Sequence, residues 1–133
     1  MRAIIFDYFG VLAHRYGECD EELMEFIRQN LVGKYKLAVL SNMSGGSEAG
    51  MLGGYVRLFD EVVLSGDIGV SKPDERAYSV AAQRLEEFIS DCLMIDDSET
   101  NCAGAEQAGM SAIWFQNKAE LRRELEKYGI LTS

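Results

Sequence analysis

A carboxylate stands directly after the first apolar run of the chain, in Phe6-Asp7-Tyr8-Phe9-Gly10-Val11-Leu12. Ser41 and Asn42 follow the second run. Lys72 and the only proline, Pro73, end a polar loop after the third, and Asp96-Asp97, with Ser98 and Asn101, follow the fourth. Taken singly, each has an ordinary structural explanation. An aspartate after a strand is a turn former or helix cap, a Ser-Asn pair is common loop chemistry, and a Lys-Pro step is usually surface. Asp96-Asp97 could cap a helix beginning near Glu99. Together they supply a nucleophilic carboxylate, a hydroxyl, an ammonium group and two further carboxylates. Carboxylates crowded around one lysine repel one another. At an effective dielectric of about 20, two charges about 4 Å apart do so by roughly 4 kcal/mol. Either their pKa values rise or a divalent cation enters. Oxygen ligands favour a hard cation, Mg²⁺ above all, which would also neutralise an incoming phosphate.

Such residues act together only if one surface collects them. Short, nearly continuous apolar runs predict strands over residues 3–6, 37–40, 61–64, 93–95 and 112–115, as expected for parallel strands covered on both faces. Helical patterns fall between them, over 20–31, 47–55, 74–88, 99–108 and 118–128. Ala77, Tyr78, Ala81, Leu85 and Phe88 keep helical spacing, as do Leu121, Leu125 and Tyr128. Ser44-Gly45-Gly46-Ser47 reads as a flexible loop. The alternation predicts one α/β domain over 1–133, a Rossmann-like, doubly wound parallel sheet of about five strands flanked by helices. Ligands of such sheets bind beyond the carboxyl ends of the strands. Every polar group named above stands at or beyond such an end.

In order and type, the four segments resemble the motifs of the haloacid dehalogenase-like hydrolases, over residues 2–115. Phe6-Asp7-Tyr8-Phe9-Gly10-Val11-Leu12 resembles the motif led by the nucleophilic aspartate. Leu40-Ser41-Asn42 resembles the motif whose hydroxyl holds the transferring group, and Gly69-Val70-Ser71-Lys72-Pro73 the one with the charge-offsetting lysine. Ile95-Asp96-Asp97-Ser98-Glu99-Thr100-Asn101 resembles the acidic, metal-binding motif. The resemblance implies a Mg²⁺-dependent phosphatase in which Asp7 forms an aspartyl phosphate. Ser41 and the Asn42 amide would hold phosphoryl oxygens, and Lys72 would stabilise charge. Asp7, Asp97 and the backbone carbonyl of Phe9 would ligate the metal, with Asp96 acting through water or from behind the direct ligands. It also implies a cis Lys72-Pro73 bond that aims Lys72 into the site.

Two departures shape the expectation. Phosphatases of this family place a second aspartate two positions after the nucleophile as general acid and base, and here that position is Phe9. Phosphatase activity should therefore be slow or restricted to leaving groups that need no proton. The family's dehalogenases carry an aromatic residue there, which keeps dehalogenation as a lesser alternative. Asp97 favours phosphoryl transfer, because displacing halide from carbon requires no metal carboxylate. The second departure is size: Asp7 and Ser41 are only 34 positions apart, so the cap domain is absent or vestigial and the site open. An open site suits a bulky or macromolecular phosphorylated substrate, or a second copy of the chain as cover. A family member that binds without turnover is a further alternative. A bacterial receiver domain has similar parts, but there the acidic pair follows the first strand and Lys-Pro the last, so the order excludes it.

Composition narrows the partners. With 22 acidic against 13 basic residues and a formal charge of −9, the chain is a poor match for nucleic acid. No apolar run approaches the roughly 20 residues that cross a bilayer, so no membrane association is expected. The cysteines, Cys19, Cys92 and Cys102, lack metal-ligand spacing and read as reduced thiols of a cytoplasmic protein. The only histidine, His14, reads as a loop residue, and Arg122-Arg123, bracketed by glutamates, as a solvated helix face.

Overall fold

Strand β1 (Ala3–Phe6) lies at the centre of the sheet, and all four of its residues are buried. In the computed structural model, which describes residues 1–14, 17–43 and 48–131, β1 pairs in parallel with β2 (Lys36–Ser41) on one side and β4 (Cys92–Asp96) on the other. β3 (Glu61–Leu64) joins β2 and β5 (Ser111–Trp114) joins β4, giving the order β3-β2-β1-β4-β5 with every pairing parallel. Side chains alternate across the pleat, so each apolar run feeds two cores. Ile4, Phe6, Leu37, Val39, Leu93 and Ile95 face one, with α1 (Glu21–Asn30) and α6 (Lys118–Lys127). Ala3, Ile5, Ala38, Leu40, Cys92 and Met94 face the other, with α4 (Glu75–Arg84) and α5 (Glu99–Ala108). Burial on both faces explains why the runs are continuous rather than alternating.

Helix starts follow local chemistry. Asp20 caps α1 by accepting from the Leu23 amide at 2.9 Å, Ser98 caps α5 from Asn101 at 3.2 Å, and Asn117 caps α6 from Glu120 at 2.8 Å. The ends are less simply coded. The helix expected over 47–55 is α2 (Glu48–Leu52) followed by a 3₁₀ turn (Gly53–Leu58), while residues 44–47 lie outside the described residues. The loop expected after β3 contains a short helix, α3 (Ser65–Ile68), stopped by Gly69 at φ 77°. α4 stops at Arg84 because the chain turns away at Glu86, whose φ is +56°. Phe88, expected on its apolar stripe, is consequently 79% exposed. Tyr128 likewise lies beyond α6 and is exposed.

The expected Rossmann-like sheet of five strands is present, and between β1 and β2 the described residues hold one helix, α1, with no inserted cap. Among the described residues no helix is long and apolar enough to cross a membrane. From β1 the chain winds outward to β2 and β3, then returns to β4 on its other side. The winding therefore reverses at the β1–β4 boundary, where a crevice opens at the carboxyl ends of the strands. Asp7 follows β1, Asp96 ends β4 and Asp97 follows it, so all three border that crevice.

Candidate active site

Lys72 is the hub of the crevice. Its ammonium group donates to Asp7 Oδ1 at 2.8 Å and to Asp96 Oδ2 at 2.8 Å, and the residue is only 4% exposed. Asp96, fully buried, also accepts from the Ser98 amide at Oδ1 (2.9 Å) and from the Asn101 side-chain amide at Oδ2 (3.3 Å). Both of its oxygens are thus engaged by the protein. Asp7 is held more lightly, through Oδ1 to Lys72, with its amide donating to the Ile95 carbonyl at 2.9 Å. Burial raises the Asp7 carboxyl from its ordinary 3.8 to about 7. Lys72 pulls the other way, but the neighbouring Asp96 and Asp97 carboxylates add to the rise.

Lys72 arrives from the segment between α3 and α4, and contacts with Asn42 and with α5 set its position. The Lys72-Pro73 bond is cis. The Asn42 side chain grips the Lys72 backbone twice, donating to its carbonyl at 3.0 Å and accepting from its amide at 2.9 Å. Behind the loop stands α5, where a Cβ on Gly104 would fall 2.7 Å from the Pro73 carbonyl oxygen. Only glycine lets helix and loop approach so closely.

Asp97 is exposed on the outer side of the cluster. Its carboxylate lies against Gly10, whose φ is +88°; a Cβ there would stand 2.1 Å from Asp97 Oδ2. The Trp114 indole N–H donates to the Asp97 carbonyl at 3.0 Å. One oxygen from each of Asp7, Asp96 and Asp97 lies within 4.8 Å of the others. Such a hard, all-oxygen donor set fits Mg²⁺. Because Lys72, Ser98 and Asn101 already occupy Asp96, the oxygens best able to turn to a cation belong to Asp7 and Asp97.

The remaining residues expected at the site fall as follows. Ser41 is the last residue of β2, buried, level with Leu64 of β3. The Phe9 carbonyl accepts no hydrogen bond among the described residues. Its ring is 43% exposed and packs edge-on to Tyr8, with ring centres 4.8 Å apart. His14 stands outside the cluster, with Nε2 3.5 Å from Asp20 Oδ2. Burial pushes the Asp20 carboxyl upward, but the Leu23 amide, Lys118 and His14 together bring it below its ordinary value. His14 therefore belongs to the capping of α1. Three contributors escaped the sequence reading: Gly10, Trp114 and the side chain of Asn42. Gly10 lies in the first motif, but nothing local marks its contact with a residue 87 positions away. Trp114 had one faint signal, a lone tryptophan at the end of a strand.

Comparison with known proteins points to one family. A family model described as haloacid dehalogenase-like hydrolase matches residues 19–109. A phosphatase of Mycobacterium tuberculosis is 34% identical over 132 residues, covering 94% of this chain and 58% of its own length. An (S)-2-haloacid dehalogenase of a Pseudomonas species is 31% identical over 95 residues, covering 70% of this chain and 42% of its own. The chain thus spans about half the length of these two relatives. The crystal structure of an uncharacterized protein from Corynebacterium glutamicum superposes with a TM-score of 0.75 at 33% identity, covering 98% of this chain and 94% of the other.

Proposed function

The chain belongs to the haloacid dehalogenase-like hydrolase family, and from that premise we propose that it is a Mg²⁺-dependent phosphohydrolase working through an aspartyl phosphate at Asp7. The observation that carries the reading is the cluster itself: an accessible Asp97 carboxylate beside Asp7, with Lys72 joining Asp7 to Asp96. Halide displacement from carbon has no use for Asp97, whereas a phosphoryl group brings charge that must be offset.

Asp7 attacks phosphorus as the ester P–O bond breaks, and the leaving oxygen departs as an anion or takes a proton from water. Water then attacks the phosphorus of the aspartyl phosphate, the Asp7–phosphate bond breaks, and inorganic phosphate departs with Asp7 restored. Lys72 holds Asp7 Oδ1, which leaves the other oxygen for attack and favours the ionised form. Ser41 and the Asn42 amide hold phosphoryl oxygens, and Asn42 also keeps Lys72 in place. Asp7, Asp97 and the Phe9 carbonyl would hold Mg²⁺, which would supply positive charge to offset that of the phosphoryl group. Because the described residues place no cap over the crevice, the substrate is bulky or macromolecular, or a second copy of the chain closes the site. The free thiols of Cys19, Cys92 and Cys102 suit a reducing compartment such as the cytoplasm.

Phe9 favours a second reading, dehalogenation, because an aromatic ring stands where a phosphatase keeps its acid. Metal-stripped protein assayed on nitrophenyl phosphate, acetyl phosphate and (S)-2-haloacids, with and without Mg²⁺, separates the two. We expect Mg²⁺-dependent phosphate release that Asp7→Asn abolishes while melting stays cooperative. Halide release independent of Mg²⁺ would transfer the case to dehalogenation, and turnover surviving Asp7→Asn would remove Asp7 as nucleophile.

A further inference from the structure

Asp96 and Asp97 are adjacent in sequence but are held by different means. Lys72, Ser98 and Asn101 grip the Asp96 carboxylate directly. Among the described residues no N–H or ammonium group donates to the Asp97 carboxylate, which faces Asp7 and the backbone of Gly10. Its direction is instead set through its backbone. The peptide unit joining Asp97 to Ser98 is fixed at both ends. Its carbonyl accepts from Trp114 Nε1 at 3.0 Å, and its N–H donates to Asp96 Oδ1 at 2.9 Å. That pair fixes rotation about the Asp97 Cα–C bond, and with it the line along which the side chain leaves the backbone. Gly10, having no Cβ, leaves the room in which the carboxylate lies.

Trp114 is an odd residue for a purely structural role. It ends the edge strand β5, level with Asp96, and is 45% exposed, so nearly half of this large residue is left in water. A tryptophan that left so much apolar surface in water for packing alone would be a poor choice. We infer that Trp114 is a positioning residue of the cation site, its indole N–H aiming Asp97 at the cation. This rests on reading Asp7, Asp96 and Asp97 as that site. Trp114 is also the only tryptophan in the chain, so its fluorescence reports on the site directly.

The test measures Mg²⁺ binding by calorimetry in wild type, Trp114→Phe and Tyr128→Phe, beside the fluorescence of wild type. Trp114→Phe keeps an aromatic ring and loses the N–H. Tyr128→Phe removes a different contact to the same strand, the Tyr128 hydroxyl to the Ala112 carbonyl at 3.5 Å, and controls for loosening of β5. Groups that orient metal ligands typically contribute 10–100-fold to affinity. Trp114→Phe should accordingly weaken Mg²⁺ binding about tenfold, raising the Mg²⁺ concentration for half-maximal activity while leaving kcat at saturating Mg²⁺ near wild type. Tyr128→Phe should change neither. If Trp114→Phe does not fold, replacing Trp114 by its benzothiophene analogue removes the N–H within the same ring outline. Wild type with no Mg²⁺ heat and no fluorescence response would overturn the cation site and this role with it. Wild-type binding with an unchanged constant in Trp114→Phe, or equal weakening in Tyr128→Phe, would overturn the role of Trp114 alone.

Discussion

Phe9 stands where the phosphatases that this chain resembles carry their general acid. A phenyl ring cannot deliver a proton, so the leaving group must depart as an anion or take its proton from water. Acyl and nitrophenyl phosphates release stable anions and should be the best substrates; alkyl phosphates, which release alkoxides, should be slow. Phe9→Asp should restore part of the general-acid contribution, about 10²–10⁴ in rate, selectively for alkyl esters. The ring is already 43% exposed, so the exchange opens no large cavity, although a fourth carboxylate near the cluster should raise the Mg²⁺ requirement. Initial rates on matched alkyl and aryl phosphates check this. Equal wild-type rates on both would mean that another group carries the proton. His14 would then be a weak candidate, since Asp20 and the start of α1 already engage it. Asp7, Asp96 and Asp97 were legible in the sequence because they end or directly follow a strand, and Lys72 because its Lys-Pro step closes the polar segment between β3 and α4. The parts played by Gly10, the Asn42 side chain and Trp114 were not, because they exist only across segments distant in sequence.

At the scale of elements, the most exacting contact is that of α5 with the Lys72 loop. A Cβ at Gly104 would stand 2.6 Å from Pro73 Cβ and 2.7 Å from its carbonyl oxygen, closer than any relaxed packing allows. Ala is the better helix former by about 1 kcal/mol, so helix propensity alone would make Gly104→Ala stabilising. The clash should win. Overpacking of this kind typically costs about 1–3 kcal/mol, and the yielding partner is the loop that holds Lys72. Gly104→Ala should thus lower the urea midpoint and reduce turnover more than so small a loss of stability would explain. A raised midpoint would show that loop and helix part freely. The central strands β1, β2 and β4 were readable because burial on both faces leaves a continuous apolar signal, and the half-buried edge strands β3 and β5 because each still carries a short apolar run. Helix ends were not: α4 stops where Glu86 takes a positive φ, and nothing in the spacing of Phe88 reveals that the chain has already turned.

Across the whole molecule, a chain of formal charge −9 gathers three carboxylates in one crevice, two of them paired with the same buried lysine. The cost of that arrangement depends on pH, and its sign follows from Asp7. Burial, chiefly, raises its carboxyl from 3.8 to about 7 in the folded, metal-free protein. Between those values the native state keeps a proton that the unfolded chain has lost, so the contribution of this group to stability falls as pH rises from about 4 to about 7. Above that range Asp7 is ionised in both states, and the full cost of holding it beside Asp96 and Asp97 is present. Mg²⁺ competes with the proton and relieves the repulsion, so it should bind more tightly as pH rises. At a hundred times its dissociation constant, a ligand confined to the native state stabilises by about 2.7 kcal/mol. Millimolar Mg²⁺ should therefore raise the melting temperature by several degrees at pH 8 and much less at pH 5, and Asp7→Asn should flatten the difference. Melting curves over that pH range, with Mg²⁺ and with chelator, make the comparison. An equal rise at both pH values, or one retained by Asp7→Asn, would place the stabilising cation away from Asp7.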